Sequence, residues 1–362
     1  MKYNAGVIGC GRIGSLLSED KLREKPCTHA ESLFKNNNIQ LIAGADLDLE
    51  KLNYFSNKWG VKKVYTDYKL MLEENKFDII SIATPPSTHL EIVEKCVEHK
   101  VKIILCEKPI STNIKDAEKI VSLCKLKDTL LIINHSRRFS IPYIKVRDLL
   151  KSDALGKLKT ICCNISTGAP KIEEDYKKNG GGILIHDGIH VVDTVKFLLG
   201  DIEPSDIYAQ IKFAENGAKV EQNLQCIMNY QDGLCVFIDC SDRDYFHFEI
   251  DIQGDKGRIT IGNGIQKYYI KAESPYYENF NSLIEKPFPE YNKVPFFEVL
   301  IDSIVKYLKT GEIPESTGDI ALSSFKQVMA IYKSAVLNKR ITYPVKISHH
   351  PFDKVFEDIN IF

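Results

Sequence analysis

Along the first third of the chain, short apolar runs alternate with stretches whose apolar positions recur at helical spacing. The runs Ala5–Ile8, Gln40–Ala45, Ile79–Ala83, Val101–Leu105 and Leu130–Asn134 have the length of buried strands. Between them, the stretches near Leu49–Lys58, Thr88–His99 and Ile114–Cys124 have the helical period. Strands separated by helices build right-handed βαβ units, so this part predicts a parallel sheet covered on both faces.

After about Arg137 the pattern changes. Strand-like segments now follow one another: Leu158–Ser166, Ile207–Phe213, Val220–Tyr230, Leu234–Ser241, Phe246–Gln253 and Gly257–Ile261. Turn residues separate several of them, at Glu215-Asn216-Gly217, Gln231-Asp232-Gly233 and Gly254-Asp255-Lys256-Gly257. Consecutive strands predict an antiparallel or mixed sheet, hence an α+β second domain. One helix is expected from Gly188 to Leu199. Two more are expected at Phe296–Leu308 and Ala321–Leu337, and the apolar end Ile359–Phe362 is expected to dock.

A length of 362 residues exceeds one ordinary core, which agrees with two domains, at 1–135 and 136–362. With 44% hydrophobic and 27% charged residues and a net charge of −1, nothing electrostatic calls for a nucleic-acid or anionic-membrane partner. No apolar run approaches the roughly 18–20 residues of a membrane helix. The first residues turn at once into a strand without the apolar core of a signal peptide, so a cytoplasmic location is expected. The ten cysteines have no Cys-x-x-Cys spacing and read as buried reduced thiols, with no metal site expected among them.

Gly9-Cys10-Gly11-Arg12-Ile13-Gly14 has the form G-x-G-x-x-G directly after the first strand. Its glycines permit a tight turn, close approach of a pyrophosphate and close helix–strand packing, and a helix beginning there offers unpaired N–H groups to a dinucleotide. Asp46 ends the second strand, where a carboxylate bonds ribose hydroxyls and repels a 2′-phosphate, which favours NAD over NADP. Gly14 and Asp46 are farther apart than the usual spacing of about 20. The excess lies around Ser18–His29, either a lid over the cofactor or a surface insertion. Thr84-Pro85-Pro86 after the next strand forms a rigid wall for the cofactor, with His89 near the following helix start.

Glu107-Lys108-Pro109 follows another apolar run and would set Lys108 at the carboxyl end of a parallel strand, where open α/β sheets bind ligands. Reversible oxidation of an alcohol needs a proton acceptor and donor as well as a hydride carrier, and burial would bring a lysine into the working range. The segment Gly180-Gly181-Gly182 leads to His186, Asp187, His190 and Asp193. On a helix His186 and His190 share a face, and Asp193 could orient His190. Two histidines at this spacing without a third ligand do not suggest a metal.

These motifs, together with Asn134-His135-Ser136-Arg137-Arg138-Phe139 and the C-terminal Ser334 and Pro344, resemble the glucose–fructose oxidoreductase/inositol dehydrogenase (Gfo/Idh/MocA) family over nearly the whole chain. The resemblance implies an N-terminal Rossmann domain with NAD bound at Gly9, Gly11, Arg12, Ile13, Gly14, Asp46, Thr84, Pro85, His89, Glu107 and Lys108. It implies a C-terminal α+β domain with a large, mostly antiparallel open sheet, used for substrate binding and for assembly into a homodimer or homotetramer. Lys108 and His190 match the family's catalytic pair. The family's aspartate four residues before that histidine is His186 here, which becomes a third catalytic candidate beside Asp187. Lys108, Arg137, Asp187 and His190 are the expected substrate contacts, with Arg138 the alternative to Arg137. The implied activity is hydride transfer between nicotinamide and a secondary alcohol or ketone of a sugar, inositol or derivative. An NAD-retaining glycosidase acting through a transient keto-sugar and a non-catalytic dinucleotide sensor are the alternatives.

Overall fold

The computed structural model describes residues 2–167, 175–213 and 217–357. The expected turn residues Glu215 and Asn216 and the apolar end Ile359–Phe362 lie outside the described residues. The chain forms two compact units, Met1–Ser140 with Lys293–Ser323, and Ile141–Asn292 with Ser324–Phe362.

The first unit is built on six parallel strands: β1 (Tyr3–Ile8), β2 (Ile39–Ala45), β3 (Lys63–Tyr65), β4 (Ile79–Ile82), β5 (Ile103–Cys106) and β6 (Leu130–Ile133). Their order, β3-β2-β1-β4-β5-β6, is that of a dinucleotide-binding doubly wound sheet. Order reverses between β1 and β4, so the loops leaving those strands diverge and open a groove at their carboxyl ends. The apolar runs supply a continuous core, Val7, Ile79, Ile103, Leu105 and Ile132, against Leu33, Leu52 and Phe55 of the helices. β3 was not expected; three residues at a sheet edge carry no apolar run.

The helix Phe296–Thr310 differs from the expected division. Its buried face, Phe297, Leu300, Ile301, Ile304 and Val305, enters the core of the first unit, so both units are discontinuous in sequence. An amphipathic stripe states that a face must be covered and is silent on which core covers it.

The second unit contains a nine-stranded sheet: β7 (Leu158–Thr167), β8 (Asp206–Phe213), β9 (Glu221–Asn229), β10 (Cys235–Asp242), β11 (His247–Gly254), β12 (Gly257–Gly262), β13 (Ile265–Glu273), β14 (Asn281–Lys286) and β15 (Ile341–Thr342). Every neighbour pair is antiparallel except β7 with β10. One face is apolar, with Ile161, Cys163, Leu224, Val236, Ile238, Ile250 and Ile252 buried at alternate positions. Together the two units are the α/β plus open, mostly antiparallel arrangement that the sequence predicts. All ten cysteines are free thiols, and most are buried.

Candidate active site

The chain leaves β1 through Gly9, whose φ of +94° favours glycine and whose absent Cβ would stand 2.6 Å from the Ala83 carbonyl oxygen. A Cβ on Gly14 would overlap the Gly9 carbonyl, whereas one on Gly11 meets nothing within 4 Å. The outer two glycines therefore serve close packing, and the middle one faces open space that a pyrophosphate needs. That geometry fits a dinucleotide.

The expected continuous helix after this loop is not formed. Hydrogen bonds from Ser15 and Leu16 to the Gly11 carbonyl close one turn, and the chain then leaves the helical path. It returns at His29–Lys35, where His29 N donates to the Ile13 carbonyl at 3.1 Å and Ala30 N to Gly14 at 2.9 Å. In an unbroken α-helix residue 17 would take the place of His29, so 12 residues are extruded. Without them the 32 positions from Gly14 to Asp46 shorten to 20, the usual spacing. The extruded loop packs on the helix Leu49–Trp59: Ser18 Oγ and Tyr54 Oη share a hydrogen bond at 3.0 Å, and Tyr54 and Lys58 both reach Glu19. It is a surface insertion, and no residue of it lines the groove. A cue was legible: Thr28-x-x-Glu31 has the form of a capping box, and Thr28 Oγ1 accepts from Glu31 N at 3.1 Å.

The groove is a cavity of about 660 Å³ lined by Gly9, Gly11, Asp46, Thr84 and Pro85 together with residues the motifs did not mark, notably Lys51, Tyr68 and Glu91. Asp46 is held by two backbone donors, Cys10 N at 2.7 Å and Asp48 N at 3.0 Å. Its oxygens retain lone pairs for ribose hydroxyls. Lys51 is paired with Asp48 at 3.1 Å; that bond and the nearby Asp46 charge raise its pKa. Arg12 is exposed, and Ile13 and Gly14 contribute backbone to the loop rather than groove lining.

Two expected cofactor contacts are turned inward instead. His89 is fully buried, with Nδ1 3.2 Å from the Ile110 carbonyl and Nε2 3.0 Å from the Thr84 carbonyl. Burial lowers its pKa, so the neutral ring donates one of these bonds and braces the Thr84 loop. Glu107 is buried as well. Its Oε1 accepts from Asn134 Nδ2 at 2.6 Å and lies 2.7 Å from His29 Nε2, while Oε2 accepts from Lys108 N at 3.3 Å. Burial would raise this carboxyl's pKa, but bonds from His29 and Asn134 and the Lys108 charge outweigh it and keep it anionic. Lys108, half-buried, stands at the strand end as expected, joined to Pro109 by a cis peptide. Arg138 is fully buried, its Nη1 donating to the Glu315 carbonyl, which leaves half-exposed Arg137 as the better candidate for a ligand.

In the second unit the histidine-bearing helix starts earlier than Gly188. A π-helical turn spans Leu184–Gly188 and continues into Ile189–Leu198. Its start is fixed from a distant strand: Glu221 Oε2 accepts from Gly182 N at 2.7 Å, and Oε1 accepts from Leu184 N at 2.9 Å and from Tyr332 Oη at 2.7 Å. Burial raises the pKa of Glu221 despite these donors. His186 is exposed, with Nδ1 3.2 Å from Asp187 Oδ2, and His190 is half-buried. Asp193 accepts from Ser324 Oγ at 2.8 Å.

Residues 3–135 match the family model described as an oxidoreductase family with an NAD-binding Rossmann fold, and residues 143–260 match the C-terminal domain model of the same Gfo/Idh/MocA family. The chain belongs to the Gfo/Idh/MocA family. Membership makes it an NAD-binding oxidoreductase. It is 26% identical over 325 residues to a myo-inositol 2-dehydrogenase of Thermotoga maritima, covering 87% of this chain and 90% of that protein. It is 28% identical over 243 residues to a D-apiose dehydrogenase of Rhizobium rhizogenes, covering 65% and 69%. The fold also matches the WlbA dehydrogenase of Bordetella pertussis in complex with NADH and UDP-GlcNAcA. There the TM-score is 0.77 at 19% identity, over 96% of this chain and 100% of the other. No described helix of this Gfo/Idh/MocA chain is long and apolar enough to cross a membrane.

The triple-glycine segment has a pH-sensitive brace. His350 Nε2 donates to the Gly180 carbonyl at 2.7 Å, and Nδ1 accepts from Phe352 N at 3.1 Å, so only the neutral ring satisfies both. Burial lowers its pKa from 6.5 to about 4. A depressed pKa means the folded state binds fewer protons than the unfolded state between these values. The contribution is therefore complete above pH 6.5 and is lost as pH falls toward 4, up to about 3 kcal/mol. Urea melts of the native protein and of His350→Gln at pH 7 and pH 4.5 should show the native protein losing more stability on acidification. Parallel losses would show that His350 does not titrate this way.

Proposed function

We propose that this protein is an NAD-dependent dehydrogenase of a secondary alcohol in a sugar, inositol or sugar derivative, and reduces the corresponding ketone in the reverse direction. The observation that carries the reading is the groove at the β1/β4 switch point, floored by Gly9 and Gly11 and closed by a doubly anchored Asp46. Relatives named for myo-inositol and D-apiose support a polyhydroxylated substrate. Bound in the groove, the nicotinamide cofactor supplies the hydride acceptor or donor.

Lys108 holds or releases the proton of the substrate hydroxyl and polarises its oxygen, and His190 serves as the second acid–base group. His186, paired with Asp187, contacts substrate or shares in that proton transfer. Arg137 and Asp187 bind hydroxyl or anionic groups. A small-molecule substrate rather than nucleic acid fits the near-neutral charge balance, and action in the cytoplasm fits ten cysteines that are all free thiols. Assembly into a homodimer or homotetramer is supported by the outward face of the nine-stranded sheet, where Phe237 is 41% exposed beside Ile227, Tyr208 and Cys162.

The test is a panel of inositols, aldoses and nucleotide-sugars, each offered NAD and NADP in parallel and followed by NADH absorbance. Net NADH accumulation with at least one polyol, faster than with NADP, is expected. Asp46→Ser should cut the preference for NAD roughly tenfold, about 1.4 kcal/mol of discrimination. Substrate cleavage without net NADH would indicate the glycosidase instead. NADH binding without turnover of any compound would indicate a sensor, and a clear NADP preference would refute the role given to Asp46.

A further inference from the structure

His29 was not marked by any motif, yet it joins three parts of the first unit. It is fully buried, with Nδ1 2.5 Å from Ser81 Oγ on β4 and Nε2 2.7 Å from Glu107 Oε1 beyond β5. Asn134, beyond β6, donates to the same carboxylate oxygen, and the other oxygen accepts from Lys108 N. The Phe297 ring packs edge-on against the imidazole at 5.1 Å between centroids. Nε2–H is given to Glu107 and Nδ1 shares a hydrogen bond with the Ser81 hydroxyl, so both ring nitrogens are used. The 12-residue extrusion leaves this placement intact, because His29 and Ala30 rejoin the hydrogen-bond ladder at Ile13 and Gly14.

A carboxylate so enclosed has little freedom to reorient, and a buried anion without donors takes up a proton. We propose that His29 is a positioning residue for the reaction: through Glu107 it fixes the Lys108 backbone and maintains the negative charge beside Lys108. Removing the His29 donor leaves Glu107 buried with one fewer partner. Its carboxyl then protonates more readily, the counter-charge near Lys108 is lost, and the lysine gives up its proton at lower pH.

The inference rests on the catalytic role proposed for Lys108, so its test includes a readout independent of turnover. Lys108 acetylation by trace acetic anhydride, quantified by peptide mass spectrometry across pH, reports the lysine's ionisation in the protein without substrate. His29→Leu should shift the labelling midpoint down by about half a pH unit or more, an effect expected of a lost neighbouring charge. It should lower kcat at least tenfold with the NADH dissociation constant within threefold of native. His29→Gln, which keeps one donor toward Glu107, should recover most of both. If His29→Leu does not fold, Ser81→Ala carries the test with a smaller shift in the same direction. An unchanged labelling midpoint in folded variants overturns the proposal, whatever the activity. A shifted midpoint in a protein that turns over no substrate upholds the positioning network and refutes the dehydrogenase reading alone.

Discussion

Replacing Lys108 by methionine should lower kcat by roughly 10²- to 10⁴-fold, the contribution typical of a positioned acid–base group. Methionine keeps the length and most of the apolar stem while removing the ammonium, so packing at the strand end is little disturbed. The Lys108 backbone bond to Glu107 does not involve the side chain and remains. Binding of NADH, followed by fluorescence, should stay within about threefold of native, because Asp46 and the Gly9–Gly14 loop are untouched. The loss should thus fall on kcat far more than on the cofactor's KM. A variant that retains native kcat within threefold would remove Lys108 from the reaction, and with it the main chemical argument for a dehydrogenase over a sensor.

The second large effect concerns stability. Glu221→Ala would strand three buried donors at once, the N–H groups of Gly182 and Leu184 and the hydroxyl of Tyr332. Each unsatisfied buried donor costs about 1–3 kcal/mol, and partial relaxation brings the sum to on the order of 3–5 kcal/mol. For a unit of this size that corresponds to a fall in Tm of roughly 10 °C. Calorimetry or circular dichroism melts would measure it. Since the same carboxylate fixes the start of the helix that carries His186 and His190, turnover below the melting range should fall as well. A melting temperature within 2 °C of native would show that water or a rearranged side chain replaces the carboxylate.

Local regularities were legible from the chain alone. The apolar runs that became β1, β2, β4, β5 and β6 are each within two residues of the observed strands at either end, since a strand buried on both faces can contain little else. G-x-G-x-x-G and Glu107-Lys108-Pro109 were equally visible, because their meaning depends on position after a strand. β13 and β14 were missed; they lie toward one edge of the second sheet, partly exposed, and alternate too weakly to register. Motif proximity points His89 and Glu107 toward the cofactor, whereas their side chains turn into the protein, a direction that spacing does not encode.

What the sequence by itself determined is the doubly wound sheet, the antiparallel second sheet, the dinucleotide loop and the residue types available for proton transfer, all of which depend on neighbours within a few positions. Tertiary structure alone decided that the first helix is spliced across an extruded loop and that Phe296–Thr310 joins the first core. It also decided that His29 and Asn134 surround Glu107 and that Glu221 caps the histidine-bearing helix. These features share one physical cause. A buried donor or acceptor must find a partner, and the partner comes from whichever distant element folding brings within about 3 Å.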